Sequence, residues 1–174
     1  MSLGERITAI DSWLLDKACQ PLADRLPEKL NALDLGMSFQ LGSLLFSAVS
    51  IIAVFVLNGM SDFSNMIFNV LIWGLCITFF VALTRMRVLV KPGHPNPFRY
   101  MLQGVRLMSI PFTLYTLYQA YTVPPPYFMP MWFNALSNLV FVVGLYLISC
   151  QPRPPKARAR EDVWTRHLRE VGTN

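Results

Sequence analysis

The placement of ionisable side chains constrains this chain more than any other sequence feature. No Asp, Glu, Lys, Arg or His lies between Asp34 and Asp62, between Asp62 and Arg85, or between Arg106 and Arg153. Only 14% of the residues are charged and 53% are hydrophobic, whereas a soluble domain carries about 25% charged residues. Because each charge-free stretch is long enough to cross a bilayer, the chain is predicted to be an integral membrane protein.

Four transmembrane helices are predicted within these stretches. A helix rises about 1.5 Å per residue and the hydrocarbon core is about 30 Å thick, so about twenty apolar residues make one crossing. The last stretch is too long for one crossing, and the Pro124-Pro125-Pro126 run cannot continue a helix. The predicted spans are 37–57, 63–84, 102–121 and 131–150. The expected fold is an all-α, antiparallel four-helix bundle in the membrane.

The distribution of basic residues predicts the topology. Lysine and arginine are retained on the cytoplasmic side of short loops. They are frequent in the second connection and just after the fourth span, and absent from the first and third connections. Both termini are therefore predicted to be cytoplasmic, in a cytoplasmic segment at 1–35 and a basic tail at 151–174 that flank the membrane domain at 36–150. The short loops suit a bacterial inner membrane, with an internal eukaryotic membrane as the alternative.

The two ends of the chain carry weaker helical patterns. The first is a capping box at Ser2–Glu5 that begins an amphipathic helix, predicted to end before Pro21. Its apolar positions are Leu3, Ile7, Ile10, Trp13 and Leu14, opposite Glu5, Asp11, Asp16 and Lys17. The helix is interpreted either as lying on the inner leaflet or as packed on its own bundle, and its mixed charge favours packing. A second short helix is predicted at Glu161–Val171.

The residue types needed for common membrane chemistry are missing from the predicted spans. Cys19, Cys76 and Cys150 are far apart in sequence, so neither a zinc site nor a redox pair is expected. Without intramembrane Asp, Glu or His, the chain resembles neither a proton-coupled drug exporter nor a haem protein. We expect no cofactor and no metal, and an enzymatic role is disfavoured. Anionic lipid headgroups are expected partners of the basic segments, and nucleic acid is not.

One basic residue is predicted to lie inside a span. Arg106 is placed one turn from the cytoplasmic end of the third span. Because a charge in hydrocarbon is costly, its long side chain is expected to extend to the headgroups. The alternative is that it binds a lipid phosphate or a partner carboxylate.

Uncharged polar residues form rows and a cluster within the spans. The rows, at helical spacing, are Gln40, Ser43, Ser47 and Ser50 in the first span and Ser109, Thr113, Thr116 and Ala120 in the third. We interpret both as helix-packing seams, with a substrate path as the alternative. The cluster, in the predicted extracytoplasmic half, is Asn69, Gln119, Asn134 and Asn138. These amides are expected to tie helices together below an aromatic belt, or alternatively to line a pocket for a quinone or lipid headgroup.

The favoured function follows from the absence of reactive groups. We expect a non-catalytic accessory, assembly or scaffold subunit of a membrane complex, with a protein partner or as a homo-oligomer within the bilayer. The alternatives are a small oligomeric channel or transporter, lined by residues such as Ser47 and Asn138, and a lipid- or quinone-binding protein.

Overall fold

Every regular element that the structure describes is helical, which confirms the all-α class for that part of the chain. The computed structural model describes residues 3–27, 30–59 and 63–153. Its α-helices are α1 (Leu3–Trp13), α2 (Gln20–Asp24), α3 (Ala32–Asn58), α4 (Phe63–Met86), α5 (Phe98–Met101), α6 (Gln103–Thr122) and α7 (Phe128–Ser149). Single 3-10 turns occupy Arg87–Leu89 and Pro125–Tyr127. The basic tail from residue 154 onward, with its predicted helix, lies outside the described residues.

Three helical stretches in the described ranges are long and apolar enough to cross a membrane. They are Ala32–Asn58, Phe63–Leu89 and Pro125–Ser149, and they contain most of the first, second and fourth predicted spans. The predicted third span corresponds to α6, which has 20 residues but includes Arg106 and the polar Gln103 and Gln119. By length and composition the count is therefore three where four were predicted, because polar residues lower the mean hydropathy of α6.

A pair of glycines brings α3 and α7 into close contact. A Cβ atom added to Gly36 would lie 2.8 Å from the backbone nitrogen of Ile148 and 2.9 Å from the carbonyl oxygen of Gly144. One added to Gly144 would lie 3.0 Å from the Gly36 carbonyl oxygen. Since backbone atoms cannot move aside as a side chain can, any larger residue would force the two helices apart.

Polar side chains continue this contact along α3. Gln40 Nε2 donates to the carbonyl oxygen of Phe141 at 2.8 Å. Ser137 Oγ donates to the Ser43 carbonyl oxygen at 2.8 Å, and Ser50 Oγ donates to the carbonyl oxygen of Pro130 at 2.8 Å. The predicted packing seam of the first span is therefore confirmed at three of its four positions.

The row on α6 also faces α7. Thr113, Thr116 and Ala120 are buried, and Asn138 Nδ2 donates to Thr116 Oγ1 at 3.3 Å. The helices thus pack in the order α4, α3, α7, α6. A buried core at one end joins α3, α4 and α7 to α5 and to Leu102, which directly precedes α6: Leu33, Met37, Leu83, Phe98, Leu102, Leu145 and Ile148. We call this end, where α3 and α6 begin and α4 and α7 end, the basic end.

The N-terminal segment does not end before Pro21 as predicted. A π-helical stretch at Leu14–Cys19 continues α1 into α2, with Pro21 in the first turn of α2. Proline has no N–H and its ring would clash with the carbonyl of Lys17 in a regular α-helix. The wider π turn gives the ring room, so the helical segment continues to Asp24.

Candidate functional site

Arg106 is buried inside the protein at the basic end, so the prediction that it extends to the headgroups is wrong. Its side chain is only 1% exposed. Its Nε donates to Asp11 Oδ1 at 3.0 Å and its Nη2 donates to Asp11 Oδ2 at 2.7 Å. Nη1 donates to Ser149 Oγ at 2.7 Å, and Nη2 also donates to the Arg99 carbonyl oxygen at 3.1 Å. A carboxylate of the same chain removes the reason for the guanidinium to reach water.

Asp11 lies on the buried face of α1, although the amphipathic pattern placed it on the polar face. It is 1% exposed and accepts a further hydrogen bond from the Tyr146 hydroxyl at 2.8 Å. The Tyr146 ring centroid lies 5.5 Å from Arg106 Cζ. We call Asp11, Arg106, Tyr146 and Ser149 the Asp11–Arg106 cluster. The cluster docks the N-terminal helix on its own bundle, in agreement with the favoured interpretation of that helix.

The basic connection between α4 and α6 is partly neutralised by acidic residues of the same chain. Arg87 pairs with Asp34, and Arg99 pairs with Asp16. Together with Arg106, three of the five lysines and arginines between Arg85 and Arg106 are thus engaged within the protein. The pairing leaves Arg85 and Lys91 as the cations of this connection without an ion pair in the described part of the chain.

Asn96 is a buried residue of the same connection that the sequence did not single out. It is 2% exposed, and its Nδ2 donates to the carbonyl oxygens of Ile148 and Cys150, both at 2.7 Å. Its Oδ1 accepts from the Phe98 backbone N–H at 3.0 Å. The Asn96 side chain therefore provides hydrogen-bond donors for carbonyl groups at the C-terminal end of α7 and an acceptor for the first backbone N–H of α5. Its neighbours in sequence are Pro95 and Pro97, and this pattern carries no signal for a buried side chain.

A cleft of about 620 Å³ lies between α3, α4, α6 and α7. Of Ser47, Arg106 and the four amides of the predicted cluster, four residues line it: Ser47, Asn69, Asn134 and Asn138. The structure therefore brings most of the predicted amide cluster together around one space. Arg106 belongs to the Asp11–Arg106 cluster instead. Gln119 is also outside the cleft, and its Nε2 donates to the Tyr115 hydroxyl one turn away at 2.8 Å.

Two of these polar groups are available to a ligand. Asn69 Nδ2 donates to the Asn65 carbonyl oxygen at 2.9 Å, and Asn138 Nδ2 donates to Thr116 Oγ1. The Asn134 amide and the Ser47 hydroxyl have no hydrogen-bond partner among the described residues. Since a polar group removed from water needs a partner, both favour an occupant that can hydrogen-bond.

The walls of the cleft are mostly apolar, and the described residues of its lining include no Asp, Glu, Lys, Arg or His. Trp73 forms part of one wall, with its Nε1 donating to the Leu44 carbonyl oxygen at 3.0 Å, which holds the indole in place. Phe68 of α4 and Phe112 of α6 also line the cleft, yet they are 60% and 56% exposed. The cleft is therefore open to the surface between α4 and α6, while the core around Leu83 closes it toward the basic end.

Metal chemistry has no support in the described residues. No group of three or more His, Cys, Asp or Glu side chains that could hold a metal ion occurs there. Cys76 is the one thiol on the cleft wall. The arrangement can bind by hydrogen bonds and apolar contact.

Comparison with known proteins adds no relative. No family model matches the chain, and no curated protein and no solved structure matches it.

Proposed function

We propose that α6 crosses the bilayer with α3, α4 and α7 as an antiparallel four-span bundle, with both termini in the cytoplasm of a bacterial cell. Its 20 residues span about 30 Å as a helix. Polar side chains of α6 have partners inside the protein: Asp11 neutralises Arg106, and the threonine row faces α7. A periplasmic phosphatase reporter tests this. It should be active when fused after Pro124 and inactive when fused after Gly93, and the reverse result would overturn the topology.

We propose that the cleft binds a small, uncharged, amphipathic molecule taken from the bilayer. The observation that carries this proposal is a cleft whose described lining is uncharged, has free polar groups and opens between two membrane-facing helices. Its volume is within the range of about 300–1,000 Å³ found for small-molecule sites. A polar head would hydrogen-bond to Asn134 and Ser47, and an apolar tail would leave between Phe68 and Phe112.

Charge decides which ligands are compatible with this cleft. An ion entering it would lose its hydration without meeting an opposite charge among the described lining residues, which is strongly unfavourable in a medium of low dielectric constant. A neutral head with oxygen acceptors, as in a quinone or an uncharged glycerolipid, has no such cost. Ring stacking on Trp73 would add to the affinity of a quinone over the glycerolipid.

Binding is tested with decylubiquinone and a short-chain diacylglycerol added to the purified full chain in detergent. We expect saturable quenching of tryptophan fluorescence by the quinone, competed by the diacylglycerol if both occupy the cleft. Asn134→Leu should weaken binding at least about fivefold, since a buried hydrogen bond with its desolvation is worth about 1–3 kcal/mol. The matched control, Gln119→Leu, removes an amide outside the cleft and should bind normally. Equal binding by the two variants, or no saturable binding, would overturn the proposal.

One observation also favours the accessory-subunit hypothesis. Leu83 is the one buried residue of α4, and Phe68, Leu71 and Leu75 are each at least 60% exposed. Such a face accommodates lipid tails or a helix of another subunit. Gentle extraction followed by mass spectrometry tests the hypothesis: a stoichiometric protein partner lost on Leu71→Ser with Leu75→Ser would support it. A channel is less favoured, because the core around Leu83 closes the cleft at the basic end.

A further inference from the structure

The N-terminal helix presents three different faces once Asp11 is docked. Successive residues of an α-helix are about 100° apart. Asp11 faces the bundle and is 1% exposed, and Leu15, one turn later, is equally buried. Ser12 lies about 100° further round and is exposed, with its hydroxyl donating to the Thr8 carbonyl oxygen. The remaining face carries Ile10 and Trp13, which are 57% and 60% exposed.

This remaining face has the composition of a helix lying on a charged membrane surface. Arg6, Ile10, Trp13 and Lys17 follow one another at spacings of four, three and four residues, so they share one side of the helix. Arg6 and Lys17 are exposed and make no ion pair in the described part of the chain. An apolar centre with a tryptophan and flanking cations suits the boundary between headgroups and acyl chains. We call these four residues the Trp13 face.

We propose that the Trp13 face lies on the anionic inner leaflet and makes α1 an in-plane membrane anchor. The Asp11–Arg106 cluster fixes the rotation of α1, so Ile10 and Trp13 cannot turn into the protein. The cluster also fixes the depth of the helix, because Arg106 sits one turn inside the basic end of α6, where headgroups are expected. Acidic residues are absent from this face: Glu5 is on the side of Ser12, and Asp16 pairs with Arg99.

The occupant is the bilayer and not a soluble partner, since the face adjoins the helices that enter the membrane. Two cations beside a lipid surface attract anionic headgroups, and neither has an ion-pair partner among the described residues. The inference is independent of the cleft ligand. It rests on the proposed topology, which puts the basic end at the headgroups and names the leaflet. Because the reporter fusions test that topology separately, a failure of the anchor and a failure of the proposed function are distinguishable.

Photo-crosslinking of the full chain in lipid nanodiscs tests this anchor. The nanodiscs contain phosphatidylcholine with a minority of phosphatidylglycerol, and p-benzoylphenylalanine replaces Trp13 in one variant and Ser12 in the matched control. We expect several-fold more lipid adducts from position 13 than from position 12, with phosphatidylglycerol over-represented relative to its share of the bilayer. Equal yields from the two positions, or no lipid adduct at position 13, would overturn the proposal.

A second comparison separates charge from simple proximity. The double substitution Arg6→Gln with Lys17→Gln is made in the variant that carries the crosslinker at position 13, and it leaves Ile10 in place. Phosphatidylglycerol should then be crosslinked at position 13 in proportion to its share of the bilayer. Enrichment that persists in the double variant would show that these two cations do not select the lipid, and would refute that part of the proposal.

Discussion

Replacing Asp11 with asparagine removes one charge from the Asp11–Arg106 cluster and changes little else. The substituted side chain has nearly the same shape, but Arg106 would retain only neutral acceptors: the new amide oxygen, Ser149 Oγ and the Arg99 carbonyl oxygen. The two charged side chains are each 2% exposed, so solvent screens their interaction little. Removing one partner of a buried ion pair costs about 3–5 kcal/mol. A loss of that size is a large part of a total stability of about 5–15 kcal/mol.

The loss is measured by titrating the purified chain in mild detergent micelles with dodecyl sulfate and following helix content by circular dichroism. We expect Asp11→Asn to lower the free energy of unfolding by about 3–5 kcal/mol. Asp34→Asn is the matched control, because Asp34 and its partner Arg87 are 44% and 51% exposed. An exposed pair contributes about 0–1 kcal/mol. If α1 detaches before the rest of the chain unfolds, amide hydrogen exchange will be faster in α1 alone.

Removing both charges separates the pair from the desolvation of each partner. Asp11→Asn combined with Arg106→Met leaves no buried charge, so we expect the double variant to be more stable than Asp11→Asn alone. The reasoning is refuted if Asp11→Asn and Asp34→Asn differ by less than about 0.5 kcal/mol with unchanged exchange in α1. A double variant less stable than Asp11→Asn would also contradict it, since Arg106 would then contribute without its partner.

Two further predictions concern the helix contact and the N-terminal thiol. Gly36→Ala should lower the free energy of unfolding by about 1–3 kcal/mol through overpacking. Gly42→Ala should be neutral or stabilising, because its Cβ would meet Val140 at an ordinary contact distance of 3.8 Å. The same titration measures both variants, and equal losses would contradict the packing argument. Burial raises the pKa of the Cys19 thiol, with Arg106 opposing the shift, so Cys19 should react with N-ethylmaleimide more slowly in the folded chain than in the denatured chain at pH 8. Because the pKa of the thiol is higher in the folded chain than in the unfolded chain, the thiol favours folding at neutral pH, and this contribution to stability is lost as the pH rises through the alkaline range. Peptide mass spectrometry measures the labelling. Faster labelling of the folded chain would be the contrary result.

The helices themselves were largely predictable from the sequence. Charge-free stretches mark α3, α4 and α7 because a bilayer excludes charge, and this rule needs no knowledge of tertiary contacts. The polar rows on α3 and α6 were also identified as packing seams, since residues three and four apart share a face of any helix. The prediction that the N-terminal helix ends before Pro21 was wrong, because proline usually ends a helix and a π turn that accommodates it has no sequence signal of its own.

The candidate cleft was predictable only as a set of residues. The amide cluster pointed to Asn69, Asn134 and Asn138, yet the favoured interpretation made them ties between helices. Whether they enclose a space depends on how far α4 stands from α6. That separation follows from the packing order, in which α4 rests on α3 and α6 rests on α7, and no local pattern encodes it.

The sequence by itself determined the helical class and the apolar stretches, because solvent exclusion acts on each segment separately. Tertiary structure alone decided which charged side chains at the basic end are buried and with which residues they pair. Helical periodicity ranks Asp11 as polar and therefore predicts that it faces water, and the same polarity suggested that Arg106 would reach the headgroups. The two residues satisfy each other across 95 positions of the chain. Their contact becomes visible only once α1 is docked on α6, because pairing two distant charges is a property of the packed helices and not of either segment.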